Sequence, residues 1–245
     1  MADPNIRLGA TAAPSAAIDA GLRTYMLRVY NYMTVGTAIT GLTAWLVANT
    51  ALINLFYNTT QDGFITPSLL GWAAVISPLI FILAMNFGLN KMKASTIQML
   101  FWVVTIVFGI SLSNILLTFT GTSVARVFFI TAGLFGAMSL YGYTTKRDLT
   151  KLGSFLFMGL IGIILASVVN IFIGSSMMHF VISVAGVLIF TGLTAYDTQK
   201  IKNTYDSVSH SGELMTKTAV MGALNLYLDF LNLFIMLMHL LGNRN

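Results

Sequence analysis

Apolar runs of about twenty residues or more follow one another along almost the whole chain, separated by short polar or Gly- and Pro-containing punctuation. Read for those boundaries, the runs fall near residues 29–50, 68–90, 95–118, 124–144, 153–173, 177–199 and 219–241. About twenty residues of helix, rising ~1.5 Å each, cross a hydrocarbon core of roughly 30 Å. Membrane-spanning strands would show alternating segments of about ten residues. The pattern predicts an all-α polytopic membrane protein with about seven transmembrane helices. Connections are short except 51–67, which carries Asn58, Thr59, Gln61, Asp62 and Gly63, and 203–216, which carries Asp206, His210 and Glu213. A single transmembrane domain over 26–245 is expected, preceded by a flexible cytoplasmic tail at 1–25.

Within the runs, small residues recur at helical spacing. Gly133, Gly136 and Ser139 share one face of the fourth, and Gly159, Gly162, Ala166 and Asn170 share one face of the fifth. In lipid such faces are expected to be packing contacts, because small side chains let backbones approach. Pro78 is expected to kink the second run, and Gly109, Ser111, Ser113 and Asn114 give the third a polar middle; both are candidate hinges. No internal repeat supports inverted-repeat transporter logic.

Composition agrees with the pattern. Apolar residues make up 56% of the chain and charged ones 9%, against about 25% in a soluble domain, and the mean hydropathy is +0.82. A net charge of +5 and a pI near 9.5 would suit nucleic acid only if the basic residues were gathered on one face, and they are scattered singly between spans. They read as topology signals instead. Arg7, Arg23 and Arg28 precede the first span, Lys91 and Lys93 follow the second, Lys146, Arg147 and Lys151 follow the fourth, and Lys200, Lys202 and Lys217 bracket the last long connection. Cytoplasmic loops are enriched in Lys and Arg, so the N-terminus is expected in the cytoplasm and, with an odd number of spans, the C-terminus outside. Met1 to Leu22 has no continuous apolar core of a secretory signal, so insertion is expected to rely on the spans themselves. The absence of cysteine excludes disulfides, thiol catalysis and cysteine-ligated metals.

The chemistry concentrates in the last run. Asp229 lies deep within it, with no other charged side chain for about three helical turns on either side. An ionised carboxylate costs several kcal/mol in hydrocarbon, so an intramembrane Asp is a functional hypothesis with a partner to be named. Gly222, Asn225, Asp229 and Asn232 recur at spacings that put them on one face, which must turn toward protein or water. The bland alternative is a buried Asp satisfied by its neighbouring amides. The candidate partner is Asp197, near the end of the sixth run, whose own plain reading is an interfacial charge beside Lys200. Antiparallel sixth and seventh helices bring the two carboxylates together only if the helices extend beyond the membrane or a vestibule reaches inward. Two carboxylates in a dry site cannot both ionise cheaply, so such a pair shares a proton and latches two helices. Calcium, which prefers carboxylate oxygen, is the cation such a pair suits as a transient ligand set. Arg126 reads as a snorkelling interfacial arginine, and His179, His210 and His239 have no partner visible in the sequence. No EF-hand, P-loop, His-Glu-x-x-His or Gly-x-Ser-x-Gly motif occurs, and no resident cofactor is expected.

Four stretches carry a resemblance: Gly109-Ile110-Ser111-Leu112-Ser113-Asn114-Ile115, Ser139-Leu140-Tyr141-Gly142-Tyr143-Thr144-Thr145-Lys146-Arg147-Asp148-Leu149, Tyr196-Asp197, and Leu226-Tyr227-Leu228-Asp229-Phe230-Leu231-Asn232-Leu233-Phe234. Together they resemble the Bax inhibitor-1, or transmembrane Bax inhibitor motif, family in its bacterial branch. The resemblance implies two three-helix layers around a central C-terminal helix, and a pH-sensitive calcium leak, enhanced by acid, with an aspartate pair as proton sensor; Asp197 and Asp229 match that pair, with Asn225 and Asn232 as its supporting polar face. Family members can carry an arginine near the end of the second helix that pairs with the dyad; in residues 86–93 only Lys91 and Lys93 are basic, and they are the candidate latch. The short end Gly242-Asn243-Arg244-Asn245 lacks the strongly basic tail of eukaryotic members and favours a bacterial inner membrane. Lipid, calcium and protons are the expected partners.

Two other readings stand beside the leak. Some bacterial relatives are associated with a membrane-bound quality-control protease, which would make the chain a regulatory protein with a structural dyad. An intramembrane aspartyl protease also needs two aspartates on neighbouring helices. Tyr196-Asp197 fits one motif of that class, but Leu226-Tyr227-Leu228-Asp229 lacks the glycines of Gly-x-Gly-Asp, so no enzyme is expected.

Overall fold

The computed structural model describes residues 12–59 and 65–244. Eight helices occur there: α1 Ala12–Asn49, α2 Ile53–Phe56, α3 Leu69–Gly88, α4 Ala94–Thr118, α5 Gly121–Thr144, α6 Thr150–Ile173, α7 Ser176–Val208 and α8 Gly212–Leu241. The long connection between α1 and α3 holds α2 and a two-stranded antiparallel ribbon, β1 Tyr57–Thr59 and β2 Ile65–Pro67, paired Tyr57 to Pro67. Gln61, Asp62 and Gly63 lie outside the described residues.

Helices α3 to α8 are each long and apolar enough to cross a bilayer. Helix α1 is longer than any of them, at 38 residues, but falls outside that set, so length and composition give six candidate spans among the described residues where about seven were expected. Threonines make the difference. Thr37 donates back to the carbonyl of Met33, so its hydroxyl is satisfied within the helix. Helix α1 starts at Ala12, inside the segment expected to be a tail; residues 1–11 are outside the described set.

Helices α3, α4 and α1 form one row and α6, α7 and α5 another, with α8 between them, touching α1, α4, α5 and α7. The burial of α8 shows its place: 72% of its most apolar stretch is buried, against none of α6. Leu224, Leu226, Tyr227, Leu233 and Met238 are fully enclosed. Helix α8 is thus the axis of the bundle.

Two candidate hinges become packing devices. Pro78 cannot donate to Ala74 O, and Ser111 Oγ of α4 supplies the missing hydrogen bond at 2.9 Å, so α3 continues through the proline. Gly109 lies against the α1 backbone, where a Cβ would come within 2.7 Å of Thr40 O, so it marks a close helix crossing. The glycines of the fourth and fifth runs differ from expectation. A Cβ at Gly133, Gly136 or Gly162 would meet nothing within 4 Å, and only Gly159 has a neighbour, Ile189. Periodicity reveals a shared face but not which face meets protein. Tight approach falls instead to other glycines.

The 203–216 connection is nearly all helix, contrary to the expected loop. Helix α7 runs on past Lys200 to Val208, and α8 starts four residues later with Ser211 Oγ accepting from Leu214 N. Ile201 and Val208 are buried, so the extension keeps an apolar face that packs.

Candidate functional site

The extension of α7 removes the depth problem of the two aspartates. Asp197 falls well inside α7 and Asp229 inside α8, and these helices are packed along one another. The two carboxyl groups lie close enough to act on each other. Asp229 is buried and Asp197 half-buried. Asp229 Oδ2 is enclosed and has no donor from any other group. Two carboxyls this near can bond to each other only if one carries a proton, so the arrangement suits a shared proton.

Glycines fix the position of Asp197. The residues just before it, Ala195 and Tyr196, are clasped from both sides. A Cβ at Gly142 of α5 would lie 2.2 Å from Ala195 O, and one at Gly153 of α6 would lie 2.4 Å from the Tyr196 ring. Just after Asp197, the Thr198 hydroxyl donates to Thr194 O at 2.8 Å. It therefore accepts from Ser139 Oγ at 3.0 Å, which in turn accepts from Tyr30 OH at 2.6 Å, tying α7 to α5 and α1. Gln199 bonds Leu149 N and Arg147 O, holding the α5–α6 turn.

The supporting residues fall less neatly. Asn225 and Asn232 are half-buried on α8, and the Asn232 amide donates to Leu228 O rather than to Asp229, so the dyad is not satisfied by neighbouring amides. Lys91 and Lys93 sit at the α3–α4 turn, where Lys93 faces Glu213 at the start of α8. That places them roughly 24 Å of helix from Asp229, and they are not a latch in this conformation. The cation that acts on Asp197 is Lys200, one turn further along α7.

Two features had no sequence signal beyond residue type. Tyr227 OH meets Thr40 Oγ1 at 2.7 Å, and because Thr40 donates on to Thr105 O at 2.8 Å, the tyrosine is the donor. The bond joins α8 to α1 and α4. Tyr227→Phe is expected to lower stability by about 1 kcal/mol, measured by thermal unfolding in detergent. At the opposite end of the bundle from Lys93, His179 and His239 pack edge to face with ring centroids 4.7 Å apart, so each histidine's partner is the other. Arg126 there donates to Leu241 O, capping α8.

A family model described as "Inhibitor of apoptosis-promoting Bax1" matches residues 22–245, which include both aspartates. The chain belongs to the Bax inhibitor-1 family. Relatives of this Bax inhibitor-1 protein include the uncharacterized protein RP147 of Rickettsia prowazekii, 46% identical over 96% of this chain and 95% of the relative. The inner membrane protein YbhL of Escherichia coli is 44% identical over 92% of this chain and 94% of its own length. A protein of Borreliella burgdorferi is 40% identical over 90% and 92%. The family fold implied by the resemblance, two three-helix layers around a central last helix, is the one described above for this Bax inhibitor-1 member.

Proposed function

We propose that this Bax inhibitor-1 protein is a pH-sensitive calcium leak of a bacterial inner membrane, with Asp197 and Asp229 as the proton-operated latch between α7 and α8. The observation that carries the reading is the close approach of two carboxyls on the central helix and its neighbour, one of them the buried Asp229, in a bundle whose other buried side chains are apolar or uncharged. One shared proton makes a charge-assisted bond, about twice as strong as a neutral one. Removing it leaves two charges in repulsion; adding a second converts the bond to the weaker neutral kind. The latch therefore loosens on either side of the singly protonated state, and the acid side is the direction the family resemblance implies.

The outer half of α8, with Leu233 and Met238 fully buried, is packed shut, so flux requires α8 and α7 to shift. Two carboxyls offer at most four of the six to eight oxygens calcium takes, and water supplies the remainder. Such a site passes the ion on rather than keeping it.

The membrane placement follows the same logic. Lys93 lies by Glu213, Arg28 bonds Thr216, Lys202 bonds Tyr143 O and Arg147 O is held by Gln199, so the basic turns share one end. By the positive-inside rule that end is cytoplasmic. The N-terminus then lies in the cytoplasm and the C-terminus, tied to the α4–α5 turn, outside. The name of YbhL points to the inner membrane. An aspartyl protease reading has little support, because Leu226 and Tyr227 beside Asp229 are fully buried and leave no room for a substrate strand.

The test is calcium efflux from proteoliposomes across pH 5 to 8, with protein-free vesicles as control. Efflux should rise toward pH 5. A flat profile removes the sensor reading and leaves the chain as a regulatory partner of a membrane protease, which co-purification from native membrane would then examine.

A further inference from the structure

Helices α1 and α5 run on opposite sides of α8 and are held to one another by the Tyr30–Ser139 hydrogen bond rather than by packed faces. On the basic side of the bundle this leaves a cleft of about 480 Å³, walled by Met26, Phe135, Gly136 and Tyr143, floored by Tyr30 and Ser139, and edged by Arg23. Leu27 and Leu140 at its mouth are exposed, so it opens laterally into the bilayer. Gly136 faces open space, and a Cβ there would meet nothing within 4 Å. Close-packed interiors do not leave apolar volume of this size empty, because the lining forfeits its dispersion contacts. In a bilayer the group at hand to fill it is an acyl chain.

The rim states what the chain is attached to. Arg23 is exposed at the rim, and Lys202, outside the lining, holds the Tyr143 wall with its ammonium donating to Tyr143 O at 2.8 Å and lying 5.1 Å from the Tyr143 ring. Basic residues above an apolar slot between membrane helices suit an anionic headgroup. We propose that the α1–α5 cleft is a binding site for one anionic phospholipid of the leaflet at the basic end, with an acyl chain over Gly136 and its phosphate at Arg23. The proposal does not depend on calcium flux or on the dyad.

The full chain, delipidated in a non-ionic detergent, is titrated with phosphatidylglycerol and with phosphatidylcholine of the same acyl chains, and retained adducts are read by native mass spectrometry. One phosphatidylglycerol should be retained in preference to phosphatidylcholine, and excess soluble glycerol phosphate should not displace it. Arg23→Gln lowers that preference roughly fivefold, the contribution of one basic residue near an anionic surface, without changing phosphatidylcholine retention. Gly136→Leu fills the slot and removes the retained adduct, whereas Gly162→Leu, on a lipid-facing stretch of α6 with equal open space, leaves it. Thermal unfolding of each variant establishes that it is folded, and Arg23→Gln, at an exposed position, tests the site even if a glycine variant is not. Equal retention of the two lipids, or equal behaviour of Gly136→Leu and Gly162→Leu, overturns the proposal.

Discussion

Asp229→Asn and Asp197→Asn should each leave the protein folded and flatten the dependence of calcium efflux on pH between 5 and 8. The asparagine amide donates to the remaining carboxylate without needing a proton, so the α7–α8 bond persists at every pH and the switch is lost. Asp197→Ala differs in kind. It strands Asp229, already short of a donor at Oδ2, in a buried position, and should cost about 1–3 kcal/mol of stability. Efflux assays on the two Asn variants separate signalling from scaffolding. A pH response that survives in both would mean that the proton acts elsewhere, and the His179–His239 contact at the opposite end would become the next group to examine.

The second large effect concerns Gly142. Valine at this position brings a branched side chain to a place where even Cβ would stand 2.2 Å from Ala195 O, a backbone atom that cannot rotate away. Helices α5 and α7 must separate, with a cost at or above the 1–3 kcal/mol typical of overpacked cores. Because Ala195 precedes Asp197 by two residues, the displacement reaches the carboxyl pair, and Gly142→Val should alter the pH profile as well as lower the unfolding temperature. Gly136→Val, on the same helix but facing open space, should do neither. Thermal unfolding in detergent, with efflux at two pH values, distinguishes the variants.

The aspartates were legible in the sequence because a carboxylate inside an apolar run is costly wherever the helix goes and needs a partner, and Asp197 lies on the neighbouring run. Their meeting was not fully legible, since residues after Lys200 look like a loop by hydropathy; the buried faces of Ile201 and Val208 extend α7 and emerge only from packing. Lys91 and Lys93 illustrate the reverse. Proximity to the end of α3 in sequence suggested a latch, but the turn they occupy meets the start of α8 rather than its middle. Helix α1 was found from its apolar run although its threonines dilute it, and its N-terminal turns were missed because polar, Ala-rich sequence is compatible with helix without demanding it. Of the glycines that set helix spacing, Gly142 continues the three-residue spacing of Gly133, Gly136 and Ser139, but periodicity did not tell it from Gly133 and Gly136, which face open space.

Because the innermost helix follows α1 to α7 in the chain, the protein's centre leaves the ribosome after the helices that surround it. Until then the earlier helices surround a vacant slot in which Thr40 lacks the Tyr227 hydroxyl. Chains interrupted before residue 212 would thus lack a middle rather than an end, and are expected to be recognised by membrane quality control as unfinished, however many of their spans have already inserted.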